Sequence, residues 1–239
     1  MNKNKSTLSI IIPCYNEQAN LPLLFEKLLK IQLECHEIIL IDNGSTDETS
    51  QIIENFIKNN NCCIKLLKIK KNIGYGHGIM SGVRKASGQI IAWTHADLQT
   101  DPKDVVEAYH FFISKKKGSN LILKGKRKKR KLFDNLFTSL MSIISSFVFK
   151  IRISDINAQP KMFRRNFIKF IEDAPDDFSL DLFVLVKALK KNYTILEFPV
   201  IFKNRYYGHS KGGGNLIGKL KLTLRTLSYI KKLRYNLKH

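Results

Sequence analysis

The fold of this 239-residue chain is decided by one stretch, Gln89-Ile-Ile-Ala-Trp-Thr-His-Ala-Asp97-Leu-Gln99-Thr-Asp-Pro102. An apolar run ends there in a carboxylate, an amide and a turn proline. In α/β sheets, ligands bind at the carboxyl ends of the strands, so an isolated acid at such an end indicates a binding site. One carboxylate can hold Mg²⁺, because that ion keeps waters and takes its other ligands from substrate phosphates. A simpler alternative is that Asp97 only starts a turn or caps the next helix.

Apolar runs alternate with amphipathic stretches through the first half of the chain. The runs 8–13, 37–42, 64–69, 89–94 and 120–123 predict β-strands, and the stretches 20–31, 46–59, 79–86 and 104–114 predict helices. Ser45 and Glu48 have the spacing of a capping box at the start of the second helix. Strands and helices that alternate in this way are typical of βαβ units. We therefore predict an α/β fold with a mostly parallel central sheet flanked by helices.

The charge of the chain is distributed unevenly. Residues 1–114 hold 12 basic and 12 acidic side chains, whereas residues 115–239 hold 29 and 8, so the second half carries the whole formal excess of +21. Such an excess predicts an anionic partner, which could be phosphate groups, an acidic membrane surface or nucleic acid. Ten of the basic residues lie in the tract 115–131. For that tract, binding to lipid phosphates, a solvated face and binding to nucleic acid all remain open.

The segment 132–151 is apolar, with a side of small hydroxyls at Thr138, Ser142, Ser145 and Ser146. A membrane span needs about 20 predominantly apolar residues, and this segment is too interrupted to be one. It predicts either an interfacial helix or a helix packed on the core of the domain. The four cysteines lack metal-ligand spacing, and residues 1–7 are polar and basic rather than a secretory signal. We expect reduced thiols and a cytoplasmic location.

Polar side chains also follow the first two predicted strands. Tyr15 and Glu17 come after the first strand, and Asp42 precedes an Asn-Gly turn after the second. An acid at that position suits a ribose hydroxyl or a base N–H. The glycine-spaced loop 72–78 lets the backbone approach a ligand or a neighbouring element closely. It lacks the third glycine of the dinucleotide fingerprint, so a nicotinamide cofactor is not expected.

Taken together, these motifs resemble the family 2 nucleotide-sugar glycosyltransferases. The resemblance runs through residues 10–17, 38–48, 72–88 and 90–102, in the family's order and spacing. The second half is similar to the dolichol-phosphate mannosyltransferase branch, through Glu197-Phe-Pro-Val200 and Asn204-Arg205-Tyr-Tyr-Gly208-His-Ser210-Lys211. The resemblance implies one GT-A type domain over residues 1–239. Within it, 1–115 would bind the nucleotide sugar, 116–211 would form the acceptor half, and 212–239 would be a basic C-terminal helix.

The resemblance also implies roles for individual residues. Asp97 would be catalytic and would hold Mg²⁺ or Mn²⁺ together with Gln99. The nucleoside diphosphate sugar, a GDP- or UDP-hexose, would be bound by Pro13, Tyr15, Glu17, Ile41, Asp42, Asn43, His95, Ala96, Asp97 and Gln99. Phosphates of the donor or acceptor would be held by Arg127, Arg205 and Lys211. The implied reaction is metal-dependent, inverting transfer of a hexose to a polyprenyl phosphate by a protein associated peripherally with the cytosolic face of an anionic membrane.

The chain departs from the family pattern at three places. His95 stands where the family usually has the first acid of Asp-x-Asp, Asn43 stands where many members have a second acid, and Ala158-Gln159-Pro160 replaces the usual Gly-Phe.

Other functions remain open from the sequence. Transfer to a saccharide hydroxyl would need a carboxylate base, for which Asp176, Asp177 and Asp181 are candidates and Asp155 is less suited. Further alternatives are an inactive sugar-nucleotide sensor and a non-enzymatic protein that binds nucleic acid or membranes. The neutral first half and its acidic strand ends argue against nucleic acid.

Overall fold

The computed structural model describes residues 7–115, 120–128, 132–207 and 216–236. Its strands are β1 (Leu8–Cys14), β2 (Glu37–Asn43), β3 (Ile64–Ile69), β4 (Ile90–Trp93), β5 (Leu121–Lys128), β6 (Lys161–Arg164) and β7 (Thr194–Ile201). Its helices are α1 (Leu21–Ile31), α2 (Thr49–Asn59), α3 (Tyr75–Lys85), α4 (Pro102–Ile113), α5 (Leu132–Phe149), α6 (Leu180–Lys190) and α7 (Leu216–Asn236). Short 3-10 helices follow α1 and β6.

The strands form one sheet in the order β3-β2-β1-β4-β6-β5-β7. The first four strands of this order are parallel, β6 runs antiparallel between β4 and β5, and β7 is parallel to β5. β1 and β2 read as unbroken apolar runs because helices cover both of their faces. The prediction of an α/β fold with a mostly parallel sheet is confirmed.

Alternate residues of β1 point to the two faces of the sheet and so serve two cores. Ile11 is buried in the core that contains residues of α3, α6 and α7. Ile10 and Ile12 are buried in the core that contains residues of α1, α2 and α4. The sheet is therefore the middle layer of three, and its edge at the carboxyl ends of β1, β2 and β4 is left open between the helices.

Two helix starts differ from the prediction by three residues or more. α2 begins at Thr49 rather than at residue 46, and no side-chain hydrogen bond caps it. The capping-box prediction is wrong because Ser45 Oγ instead accepts a hydrogen bond from the Asn16 N–H, at 3.0 Å, and joins two loops. α3 begins at Tyr75 rather than at residue 79. Its first turn packs closely on the segment before α6, because a Cβ at Gly76 would lie 2.1 Å from the Pro175 carbonyl oxygen. The predicted close backbone approach is confirmed, and a neighbouring element makes it.

The helix after β4 has its own cap. The Asp101 side chain accepts a hydrogen bond from the Lys103 N–H, and the Asp104 side chain accepts one from the Asp101 N–H, which completes a capping box at the start of α4. Asp97 is therefore not needed as the helix cap, and the alternative that gave it this role is wrong.

The basic tract is partly structural. Residues 121–128 of it form β5, and Lys124 lies in the core at 1% exposure, with its Nζ 3.0 Å from Glu197 Oε1. A solvated or lipid-facing position is thus wrong for Lys124. The rest of the tract at 116–119 and 129–131 lies outside the described residues.

α5 turns its hydroxyl side inward. Ser142 and Ser145 are buried, whereas Ile143 and Phe147 are 66% and 85% exposed. The inward side also packs Phe149 into the core, so α5 is a core helix that leaves large apolar side chains uncovered.

Candidate functional site

A cavity of about 580 Å³ opens at the carboxyl ends of β1, β2 and β4. The loop after β1, the start of α3 and the loop after β4 form one side of it. The approach to β6, the end of β5, the start of α6 and the segment after β7 form the other. Ten of the predicted site residues line it: Pro13, Tyr15, Glu17, Asn43, His95, Ala96, Asp97, Gln99, Arg127 and Arg205.

Two predicted residues do not line the cavity, and the position of a third is not described. Ile41 is fully buried and packs against Gly82 of α3. Asp42 is 6% exposed, and its Oδ1 accepts a hydrogen bond from the Ser45 N–H, at 2.9 Å, which shapes the turn after β2. Neither is among the residues that line the cavity. Lys211 lies outside the described residues.

Asp97 lies in a tight turn at the end of β4. The next residue, Leu98, has a φ of 58°, and Asp97 Oδ1 accepts a hydrogen bond from the Gln99 N–H at 3.1 Å. Asp97 Oδ2 lies 2.7 Å from Arg205 Nη2, and Arg205 Nε donates to Gln99 Oε1 at 3.2 Å. One arginine from the segment after β7 thus engages both side chains that were predicted to hold a metal.

The oxygen donors of this group fit a hard divalent cation. Asp97 and Gln99 offer a carboxylate and an amide oxygen, and the lining residues as a whole carry three carboxylates (Glu17, Asp97 and Asp181) against two arginines. Such a lining has no positive excess, so a bound cation would favour the binding of an anionic ligand there. Across the described ranges, no group of three or more His, Cys, Asp or Glu residues could hold a metal by itself. The fit is therefore to an ion that shares its coordination with substrate phosphates.

His95 lies beside this group with its ring centroid 5.7 Å from that of Tyr75. Desolvation lowers the pKa of His95, and nearby Asp97 raises it by less. The imidazole is consequently neutral at pH 7, and it cannot replace the charge of the acid that the family usually has at this position.

At the β2 end of the cavity, the Asn43 side chain is oriented by the backbone. Its Nδ2 donates to the Gly74 carbonyl oxygen at 3.0 Å, and a Cβ at Gly78 would lie 2.9 Å from its Cγ. The Asn43 side chain is 3% exposed, and no donor among the described residues reaches its Oδ1. A carbonyl oxygen in this state can accept a hydrogen bond from a ligand N–H or hydroxyl.

At the β6 end lies a polar group that we call the Asp181 cluster, made of Tyr75, Gln159, Lys161 and Asp181. Lys161 is fully buried, and its Nζ lies 3.2 Å from Asp181 Oδ1. Burial lowers the pKa of Lys161 to about 8, which leaves it protonated at pH 7 opposite the carboxylate. Gln159 Nε2 lies 3.1 Å from the Tyr75 hydroxyl and 3.1 Å from Asp181 Oδ1.

Sequence reasoning missed part of this cluster. Tyr75 and Lys161 were not predicted as site residues, whereas Gln159 appeared only as a departure from the family pattern and Asp181 only as one of several possible bases. The glycine-spaced loop 72–78 was the available signal for Tyr75. No sequence pattern connects Lys161 with Asp181, because the ion pair exists only once β6 and α6 are packed together.

At the β5 end, Arg127 is fixed on two sides. Its Nε and Nη2 both donate to Asp155 Oδ1, the former at 2.8 Å, and its guanidinium lies 5.1 Å from the centroid of the Phe202 ring. Asp155 is thereby committed to the arginine, and the pairing lowers the pKa of Asp155 against the opposing effect of burial. Arg127 presents a charged plane to the cavity in a set orientation.

Comparisons with known proteins identify the family and the fold of the chain. Residues 9–171 match the family described as glycosyl transferase family 2. An undecaprenyl-phosphate 4-deoxy-4-formamido-L-arabinose transferase of Yersinia pestis is 32% identical over 113 residues, which make up 46% of this chain and 35% of that protein. The chain therefore aligns with about a third of the length of that relative.

Two solved structures share the fold, with TM-scores of 0.73 and 0.62. The first is glucosyl-3-phosphoglycerate synthase from Mycobacterium tuberculosis in complex with Mn²⁺, UDP and glucosyl-3-phosphoglycerate, which is 14% identical; the match covers 97% of this chain and 81% of that one. The second is a mannosyltransferase from Pyrobaculum calidifontis in complex with GDP-Man and Mn²⁺, which is 18% identical; the match covers 93% of this chain and 65% of that one. The predicted GT-A architecture is confirmed.

Proposed function

Because the chain belongs to glycosyl transferase family 2, we propose that it transfers a hexose from a nucleoside diphosphate sugar to a polyprenyl phosphate. The observation that carries the proposal is the group of Asp97, Gln99 and Arg205 at the end of β4, inside the cavity. The nucleoside would lie on the β1–β2 side, where Asn43 offers an unpartnered oxygen. Its diphosphate would then lie at Asp97, and the sugar would lie beyond it.

Asp97 and Gln99 are the residues that would hold Mg²⁺ or Mn²⁺. When bound, such an ion would stabilise the negative charge of the departing diphosphate. In this structure, Arg205 forms an ion pair with Asp97. We propose that it turns to a phosphate oxygen when the donor is present, which keeps its charge paired throughout.

A polyprenyl phosphate suits the described residues as acceptor. A phosphate monoester is largely ionised at neutral pH, so its oxygen can attack the sugar without a general base. The task of the protein is then to bring two anions together. Arg127 and Arg205 line the cavity and would hold them, and their acidic partners set the direction of each guanidinium. The name of the Yersinia pestis relative supports this acceptor class.

Transfer to a saccharide hydroxyl is the second candidate, and one observation favours it. Of the four acids considered as a base, Asp181 lines the cavity, whereas Asp176 faces His77, Asp177 accepts a hydrogen bond from the Ser179 N–H, and Asp155 is paired with Arg127. Asp181 is already engaged by Lys161, Gln159 and Tyr75. These contacts already occupy both of its carboxylate oxygens, so we rank this acceptor second.

We also propose that α5 contacts a membrane surface. Ile143 and Phe147 project from it with exposures of 66% and 85%, and Lys150 and Arg152 follow on the same part of the chain and are exposed. Apolar side chains next to cations suit the boundary of an anionic bilayer. None of the described helices is long and apolar enough to cross a membrane.

A labelling experiment tests the proposed reaction. The protein is incubated with membranes, Mn²⁺ and each of several sugar nucleotides labelled in the sugar, and lipid is then extracted. We expect label in the lipid fraction with one donor, in a form that mild acid releases as free sugar. Label in polysaccharide with none in lipid would establish the hydroxyl acceptor instead. Binding of donor without any transfer would support the inactive sensor.

A further inference from the structure

Gln159 lies at the wall of the cavity beyond the predicted diphosphate position. β6 is the neighbour of β4 in the sheet, and Lys161 pairs in register with Trp93. Gln159, two residues before Lys161, is therefore level with His95, two residues after Trp93. Along the open edge of the sheet, the order of these groups is Asn43, Asp97 and Gln159.

The contacts of Gln159 determine which way its amide faces. Its Nε2 lies within 3.2 Å of both Asp181 oxygens and 3.1 Å from the Tyr75 hydroxyl. An ionised carboxylate only accepts hydrogen bonds, so the amide NH₂ must be the group that faces it. The amide oxygen Oε1 consequently faces the other way.

That oxygen is left without a donor. Gln159 is 1% exposed, and no donor in the described part of the chain reaches Oε1. Buried amide oxygens are almost always hydrogen-bonded, so a lone one on a residue that lines the cavity indicates a ligand that brings its own donor. A sugar hydroxyl is such a donor, whereas a phosphate oxygen is not.

The cluster is built to hold this orientation. Lys161 Nζ donates to the carbonyl oxygens of Ile156 and Ala158, both at 2.8 Å, and pairs with Asp181. One buried cation thus fixes both the loop that carries Gln159 and the carboxylate that orients its amide. Lys161 is a positioning residue in this arrangement.

We propose that Gln159 Oε1 accepts a hydrogen bond from a hydroxyl of the transferred hexose and so contributes to donor-sugar specificity. The proposal rests on the proposed function, because it requires a nucleoside diphosphate sugar with its phosphates at Asp97. In such a donor the sugar is attached to the second phosphate. Along the open edge of the sheet, Gln159 is the group that follows Asn43 and Asp97, so the sugar would lie beside it.

The test compares donors with and without the sugar. Dissociation constants of UDP, UDP-glucose, GDP and GDP-mannose are measured by calorimetry with Mn²⁺ for the wild type and for Gln159→Met, which keeps the side-chain length and removes the amide. We expect the sugar nucleotide that the wild type binds to bind about 5- to 30-fold more weakly to the variant, as for the loss of one buried hydrogen bond. The matching nucleoside diphosphate should change by less than about twofold.

Two controls keep the outcome specific. Gln89→Met makes the same change at an exposed glutamine before β4, at the opposite end of that strand, and should alter neither constant. Monodeoxy forms of the bound donor should reveal one hydroxyl whose removal weakens wild-type binding but not binding to Gln159→Met. If Gln159→Met does not fold, the proposal is tested by donor binding to Gln159→Ala and by binding of the monodeoxy donors to the wild type.

The contrary results are distinct. Equal weakening of UDP and UDP-glucose would give Gln159 a purely structural role and overturn this proposal alone, as would a deoxy series in which every donor binds like the parent. A wild type that binds no nucleoside diphosphate or sugar nucleotide would overturn the proposed function itself.

Discussion

The two halves of the sheet use charge in opposite ways. On the β3-β2-β1-β4 side, the cavity is lined by groups that offer oxygens, such as Glu17, Asn43 and Asp97. On the β6-β5-β7 side, three cations near the cavity pair with acids of the same side: Lys161 with Asp181, Lys124 with Glu197, and Arg127 with Asp155. A fourth, Arg205, pairs with Asp97 across the cavity. Residues 115–239 carry the large positive excess, but the described cations that they place near the cavity are paired with acids.

The net charge of the chain does not predict the charge of the cavity lining. The excess of +21 belongs to the whole chain, whereas the lining carries more carboxylates than arginines. Under the proposed function, a diphosphate would be recognised through a cation at Asp97 and through a few oriented side chains. The exposed cations outside the cavity would then be available to larger anionic surfaces.

The largest effect is expected from breaking a buried pair of the second half. Lys161→Met leaves Asp181 buried without its cation, which should lower the free energy of unfolding by about 3–5 kcal/mol. Lys68→Met is the matched change in the first half, at a pair with Glu54 in which both side chains are about half exposed; it should cost less than about 1 kcal/mol. Urea unfolding measures both. Equal losses would remove the distinction between the halves.

An intermediate effect is expected at the surface of α5. Phe147→Glu replaces an exposed apolar side chain by a negative charge, so binding to vesicles that contain anionic lipid should weaken by about tenfold. Leu33→Glu makes the same type of change in the first half, at a side chain that is 95% exposed. It should leave vesicle binding unchanged. If sedimentation with vesicles is the same for Phe147→Glu and the wild type, α5 does not contact the membrane.

The smallest effect concerns acid stability. Burial raises the pKa of Glu197, but hydrogen bonds from Lys126, Ser154 and Lys124 outweigh it and lower that pKa from 4.5 to about 2. A carboxylate with a lowered pKa stabilises the fold above its unfolded pKa, and this stabilisation is lost as pH falls from about 4.5 to 2.

Glu197→Gln should therefore show a flatter loss of stability with pH in that window than the wild type. Glu37 has the same lowered pKa on the first half, held by Lys65, Ser87 and Ser9 against burial. Glu37→Gln should flatten the curve to a similar degree, since the cause is the same. Parallel curves for wild type and Glu197→Gln would contradict the prediction.

The halves also differ in what the sequence could reveal. The strand 64–69 was predicted with its observed bounds, and those at 8–13 and 37–42 were each one residue short. Buried parallel strands are continuous apolar runs with clear ends, which makes them recognisable. By contrast, β6 contains Lys161 and Arg164, and β7 contains Pro199 and is partly exposed. β6 has only two apolar residues between its charges, and Glu197 and Pro199 interrupt the apolar run of β7, so neither strand was predicted.

The site follows the same division. Ten predicted residues line the cavity because loops at the carboxyl ends of parallel strands converge there. Tyr75 was missed because its helix begins earlier than its glycines suggested. Asp181 could not be singled out, because its partners Gln159 and Lys161 lie just before and at the start of β6, which runs antiparallel to its neighbours. Which of the candidate acids lines the cavity is determined by the packing of β6 and α6 and not by local sequence.

The central claim is that Asp97 holds the cation on which donor binding depends. The direct measurement is Mn²⁺ affinity in the presence of UDP, followed by electron paramagnetic resonance, for the wild type, Asp97→Asn and the control Asp173→Asn, whose acid lies in an exposed pair with Lys187. The account predicts that Asp97→Asn weakens Mn²⁺ binding by about 10²-fold or more and slows sugar transfer by about 10²–10³-fold, whereas Asp173→Asn matches the wild type. Unchanged Mn²⁺ affinity in a folded Asp97→Asn protein would contradict it.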